Sequence, residues 1–215
     1  GKGESEPKVN DTSDEARAVN RRVEITLTPT GGTTTKTTTP SAGTGSLPET
    51  KGPVAKGSEG VTVKHVSGNS QVTITIDHVT RSGGYLLGQL HTTLSVKKGS
   101  APNGLEDWLS DKEALFSNSR SEDGSRDAVT YAANGLTLLA AGERIYPADY
   151  RDAGFKTHLP LTELQLTPPI KAGTTTVCVI WPDPGGDTVT LDHAATGKEV
   201  ADFAYRLTNI PIKNS

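Results

Sequence analysis

Cys178 is the only cysteine among 215 residues. This excludes an internal disulfide framework and any metal site built from several thiolates. Set beside Val177, Val179 and Ile180, the lone thiol reads as a small buried hydrophobe, because a nucleophile would need an activating base next to it. Long apolar runs are also missing. No stretch approaches the roughly 20 consecutive apolar residues of a membrane-spanning helix, and the opening Gly1-Lys2-Gly3-Glu4 has no signal-peptide core. Charge of one sign is absent as well. With 22 basic and 25 acidic residues and a net charge of −3, the chain carries no extended positive field to draw in a phosphate backbone, so no nucleic-acid partner is expected. What is present is 33% hydrophobic residues, 23 Gly and 13 Pro, a composition that favours loop-rich β architecture over a helical bundle.

Three regions separate along the chain. Residues 1–28 are charged and end in Val23-Glu24-Ile25-Thr26-Leu27, whose period of two predicts a half-buried strand. Upstream of it, Asn10 to Arg17 offers capping side chains followed by acids, which suits a short helical turn. Residues 29–60 include Thr33-Thr34-Thr35-Lys36-Thr37-Thr38-Thr39-Pro40 and then Gly, Ser, Pro and Lys. With so little to bury, this stretch is expected to be an extended, mobile linker.

Residues 61–215 hold the only sizeable core. Val72, Ile74 and Ile76 alternate with Thr73, Thr75 and Asp77, and Leu90, Leu94 and Val96 alternate with Gln89, His91, Thr93 and Ser95; both runs predict strands with one face buried. Arg81-Ser82-Gly83-Gly84 is turn chemistry. Asn134-Gly135, between Ala128–Tyr131 and Leu136–Leu139, is a strong short-range hairpin signal. Further strands are expected at Leu161–Leu166, Thr175–Trp181, Thr188–Leu191 and Phe203–Leu207, parted by Ala172-Gly173 and Pro184-Gly185-Gly186. A short helix is expected where Leu105, Trp108, Leu109, Leu115 and Phe116 recur at three-to-four spacing, with Asn103 and Glu106 placed like a capping box. Seven or eight short strands at such intervals predict an antiparallel β-sandwich.

Two resemblances extend this reading. Gly3-Glu4, Asn10-Asp11-Thr12, Arg17-Ala18 and Asn20-Arg21-Arg22-Val23-Glu24 resemble, in order, the end of the OmpA-like domain shared by outer-membrane porins, lipoproteins and flagellar stator proteins. The resemblance implies an α/β fold that grips peptidoglycan. Ala16 stands where that family usually has glycine, which implies a helical conformation there. The family's ligand-gripping Asp and Arg would lie upstream of Gly1, so we expect a longer protein and carry no binding residue over. Arg17, Arg21 and Arg22 then read as solvated charges or ion-pair partners. From about Val61 to Ile212 the chain resembles, more loosely, telokin-like immunoglobulin domains of secreted bacterial proteins, through the Asn-Gly pair, Ile145-Tyr146-Pro147, Lys171-Ala172-Gly173 and Trp181-Pro182. Such domains are adhesive or spacer modules.

The constellations that could carry chemistry are sparse. His65, His78, His91, His158 and His193 form no His-x-x-x-His pair, so zinc is not expected. His78 falls in phase with Ile74 and Ile76 and reads as a core or rim histidine, while His91 falls on the polar face. Glu122-Asp123-Gly124 to Asp127 and Asp183 to Asp187 lack the alternation of a calcium loop and read as turn acids. A glycosidase-like carboxylate pair among them would need a separation that sequence cannot fix. Nucleophile-elbow, phosphate-loop and dinucleotide fingerprints are missing. Of Trp108, Trp181, Tyr146, Tyr150 and Tyr205, most are expected in the core, with an exposed platform as the alternative.

The expectation is therefore a mainly β protein: residues 1–28 as the end of an OmpA-like α/β domain, 29–60 as a linker, and 61–215 as an immunoglobulin-like β-sandwich. Its expected role is a non-enzymatic, peptidoglycan-anchored adapter of the cell envelope, contacting an unknown protein or glycan through the sandwich. No catalytic residue, cofactor or metal ligand is assigned. The alternatives are a secreted hydrolase with catalytic groups on sandwich loops, or a passive spacer.

Overall fold

The computed structural model describes residues 47–65, 68–100, 104–110, 132–140, 142–151, 158–162, 172–194 and 203–215, all within the unit Thr37–Ser215. Residues 1–46, which include the OmpA-like stretch with Arg17, Arg21 and Arg22, lie outside the described residues, as do Leu115, Phe116 and the acids Glu122 to Asp127.

The described residues form twelve strands: β1 Val54–Lys56, β2 Val61–Lys64, β3 Ser70–Thr75, β4 Val79–Ser82, β5 Tyr85–Val96, β6 Thr137–Ala140, β7 Glu143–Ile145, β8 Asp149–Arg151, β9 His158–Pro160, β10 Gly173–Pro182, β11 Thr188–His193 and β12 Tyr205–Asn214. One helical turn, α1 Glu106–Leu109, lies between β5 and β6. The period-two pattern decides which side of each strand is wet. In β5 the residues alternate buried and exposed from Leu86 to Ser95, and β3 likewise buries Val72 and Ile74 while Thr73 and Thr75 face outward.

Ten of the strands join in one mixed sheet, ordered β2-β3-β5-β4-β12-β11-β6-β7, with β1 on β12 and β10 on β5; β8 and β9 pair separately. An antiparallel architecture was expected, but β1 runs parallel to β12 and so does β4. The reason lies in β12. Its first part pairs with β11, and its last residues, Ile212 to Asn214, pair with β4, so one strand connects two groups of strands. The transition follows a bulge where Val189 faces Ile210 and Leu191 faces Leu207. The extra residue is accommodated at Asn209, with φ of 54°, and Asn is among the few residues that tolerate this region.

Inward residues from both groups merge in one hydrophobic cluster: Val72, Ile74, Leu90 and Trp181 from one, Leu191 and Leu207 from the other. Leu105, Trp108 and Leu109 join it from α1 and its flank. Two polar groups that enter this core find backbone partners. The Trp181 indole donates to the Leu136 carbonyl at 2.8 Å, and the Tyr205 hydroxyl donates to the Trp108 carbonyl at 2.9 Å.

Several expectations change. The linker was expected to reach residue 60, yet Val54–Lys56 pairs with Arg206–Thr208. Gly57 then donates to Thr208 O and accepts from Ile76 N, a close approach that a side chain would block, since a Cβ there would lie 2.5 Å from Ile76 O. Backbone pairing orders this stretch although it has few apolar side chains. Of the expected Asn134-Gly135 hairpin, Ala128–Tyr131 lies outside the described residues, while β6 is paired on both edges, by β11 and by β7. Asn134 is instead buried, accepting from Ser110 Oγ at 3.1 Å, while Gly135 N donates to Leu109 O. The helix α1 has Leu105 at its N-cap, with no side-chain cap, and Asn103 of the expected capping box lies outside the described residues.

Candidate functional site

The site begins with a gap in strand pairing. One edge of β5 is followed by β10 from Tyr85 to Leu94. The other edge is shared end to end, with β4 against Tyr85–Gly88 and β3 against His91–Val96. Between β3 and β4 the chain leaves the edge at Ile76-Asp77-His78, and the Ile76 amide turns to Gly57 O at 3.0 Å. Opposite this break the outer face of the sheet dips into a depression of about 100 Å³, lined by Asp77, His78, Thr80, Leu87, Gln89 and His91. Thr80 and Leu87 are register partners, so they stand side by side across the β4–β5 hairpin. That hairpin is closed by Gly83 and Gly84, with φ of 57° and 84°, as a two-residue type I′ turn requires.

Around the depression the outward residues sort into rows set by register. Thr62 on β2, Thr73 on β3, Thr93 on β5 and Thr174 on β10 are successive partners. Their hydroxyls are paired, Thr62 with Thr73 at 2.9 Å and Thr93 with Thr174 at 3.1 Å. The next row brings Thr75, His91 and Thr176 together, with Thr176 Oγ1 3.3 Å from His91 Nδ1. At the rim of the depression Leu87 faces Ile180, and beyond it Tyr85 faces Pro182. This gives the face an apolar end, where Leu87 is 39% exposed. The formal charges on the outward side, among the described residues, include Asp77 beside the depression, Lys213 on β12 next to Thr80, and Lys64 at the far end of β2, all exposed.

Chemically the depression offers a carboxylate, an amide, a hydroxyl and two imidazoles, so hydrogen-bond donors and acceptors converge on it. Cys178 is exposed rather than buried as expected: Val177 and Val179 point inward and the thiol takes the alternate position. Its register partner is Gln89, which is no activating base.

The other candidates disperse. His65 stacks edge-on against Trp108 and Phe203, with Asp107 Oδ2 3.8 Å from its Nε2. His193 is 2% exposed, its ring stacked on Tyr205 and its nitrogens 3.0 Å from Phe203 O and 3.3 Å from Ser110 O. His158 falls in β9, and its side chain lies outside the described residues. Asp183 accepts from Arg81 Nε at 2.6 Å and from Gly185 N at 2.9 Å, a structural turn acid. Trp108, Trp181 and Tyr205 are buried, whereas Tyr150 is 42% exposed. Among the described residues no three His, Cys, Asp or Glu side chains gather as metal ligands, and no helix is long and apolar enough to cross a membrane.

Reading the sequence alone separated His78 from His91 by face. The strand ends at Thr75, so the period of two no longer applies at His78, and both histidines line the same depression. The signal available beforehand was Asp77-His78 directly after a run of alternation. In comparison with known proteins, no family model, no curated protein and no solved structure matches the chain.

Proposed function

We propose that this chain is a non-enzymatic component of a bacterial cell envelope, an extracytoplasmic adapter whose β domain is an interaction module. The observation that carries the reading is the outward face of β3, β5 and β10, where exposed hydroxyls, two imidazoles and Leu87 surround a depression instead of a reactive pair. An immunoglobulin-like sandwich is the finer fold we infer for this domain. It is supported by the parallel addition of β1 to β12, by the passage of β12 between two groups of strands, and by the buried Trp181. The Asn10 to Ile25 resemblance supports the anchoring half: a complete OmpA-like domain would hold peptidoglycan, and the threonine-rich stretch would connect it to the module.

Co-sedimentation with purified peptidoglycan tests the anchoring. The 215-residue chain is expected to stay in the supernatant, because the resemblance carries no ligand-gripping residue onto it, while the same chain fused behind a full OmpA-like domain is expected to pellet. Equal retention of the two would overturn the assignment.

A further inference from the structure

We infer that the depression between β3 and β4 is a binding site for one ring of a neutral saccharide, with the flanking outer face as the track for the rest of the glycan. This deepens the interaction-module reading and rests on it.

Three observations select this ligand. The first is size. A void of about 100 Å³ lies well below the roughly 300–1,000 Å³ of pockets that engulf a cofactor or drug-sized ligand, so the site would hold one ring while the remainder of the ligand lies along the surface. The second is chemistry. Asp77 accepts, Gln89 and Thr80 both donate and accept, and the imidazoles of His78 and His91 add further ring nitrogens for hydrogen bonding. Such mixed polarity suits the hydroxyls of a sugar, which also donate and accept. Leu87, with Ile180 beside it, supplies apolar contact for the C–H side of a ring.

The third is charge and the kind of side chain present. Asp77 stands beside the depression with Lys213 next to Thr80, and Lys64 lies at the far end of β2, so both signs are present and no single-sign patch supplies the steering an anionic polymer would need. Tight protein interfaces centre on Trp, Tyr and Arg anchors, yet the middle of this face is threonine, glutamine and histidine, with Tyr85 only at its end. A polyol chain needs no such anchor. The paired hydroxyls of Thr62 with Thr73 and Thr93 with Thr174 extend the same polar surface beyond the depression, fixed in position by strand register.

The test uses the 215-residue chain, labelled with nitrogen-15 and titrated with a trimer of N-acetylglucosamine and, separately, with maltotriose. Binding by a few hydrogen bonds is expected in the millimolar range, with saturable amide shifts concentrated at Asp77–Thr80 and Leu87–His91 for at least one sugar. Gln89→Ala should weaken binding by about threefold to tenfold, the effect of one hydrogen bond. Leu87→Asp, which places a charge on the apolar contact, should abolish it. All these positions face solvent, so thermal melts of the variants should match the parent. Absence of saturable shifts with both sugars, shifts confined to other residues, or unchanged affinity in Leu87→Asp would overturn the assignment. Preference for a neutral tripeptide over both sugars at the same residues would do so too. Peptidoglycan sedimentation of the fused chain reads the amino-terminal region, so its failure and a failed titration are separable.

Discussion

Gly88 on β5 lies directly beneath the Trp181 indole on β10: a Cβ at Gly88 would sit 2.5 Å from Cζ3 and 2.8 Å from Cη2. The Trp181 ring is held where it is by its hydrogen bond to Leu136 O, so it cannot simply swing aside. Gly88→Ala is therefore an overpacking substitution, expected to cost about 1–3 kcal/mol. Lowering of Tm by several degrees is the expected readout, on the order of 2–4 °C per kcal/mol for a domain of this size. An unchanged melt would mean that the indole has room the structure does not show.

Asp192 links β11 to two arginines. Its carboxylate accepts from Arg206 Nε and from Arg144 Nη2, each at 2.7 Å, and its side chain is 2% exposed against 6% for Arg206 and 25% for Arg144. Removing the central charge leaves two cations facing each other. Asp192→Asn is expected to cost about 3–5 kcal/mol, whereas Arg144→Gln, nearer to solvent, should cost about 1 kcal/mol or less. Urea denaturation of both variants at neutral pH measures the difference, and equal losses would contradict the central role of the carboxylate.

How much of this was legible beforehand follows from where periodicity holds. The strict alternation in β3 and β5 identified the inward set Val72, Ile74, Leu90 and Leu94 and the outward threonines. The same rule, applied through Val177 and Val179, would have placed Cys178 outside; its intrinsic preference for burial misled. Legibility ends where backbone partners decide. Nothing in Val54-Ala55-Lys56 announces a strand, because its order comes from β12, about 150 residues later. Neither does Asn134-Gly135 reveal that both edges of the following strand are occupied. The depression was invisible for the same reason: it exists because β3 and β4 share an edge of β5 and leave a gap. The OmpA-like resemblance falls on residues outside the described set.

Alkaline stability should depend on Tyr205. Burial, and secondarily the negative charge of Asp192, raises its phenol well above the ordinary value of 10.0. With the folded pKa raised, the stability it contributes is intact below the unfolded value near 10 and is lost as pH climbs toward the folded pKa, since only the unfolded state then releases the proton. Urea midpoints of the parent should thus fall between pH 9 and pH 11 by more than those of Tyr205→Phe. At neutral pH the Phe variant should be the less stable one by about 1–3 kcal/mol, because the Trp108 carbonyl loses its donor inside the core. Parallel pH dependences for the two proteins would assign the alkaline loss to other groups.

The facing of β3 gives the cleanest comparison. Ile74 is fully buried, and it faces Val61 across one edge and Thr92 across the other. Thr73, one residue away, points outward with its hydroxyl 2.9 Å from that of Thr62. An aspartate at position 74 would be an unpaired carboxylate among apolar neighbours, and burying an ionised group without a partner costs more than a typical domain has to spare. Ile74→Asp should therefore fail to give a cooperative melt. Thr73→Asp loses one exposed hydroxyl pair and gains a solvated charge, so its effect should stay within about 1 kcal/mol, as for other surface changes. Far-ultraviolet circular dichroism melts of both variants beside the parent provide the measurement, repeated with a chelator. A cooperative transition in Ile74→Asp at a Tm near that of Thr73→Asp would refute the inward face, and loss of the parent's transition on chelation would point to a structural metal ion.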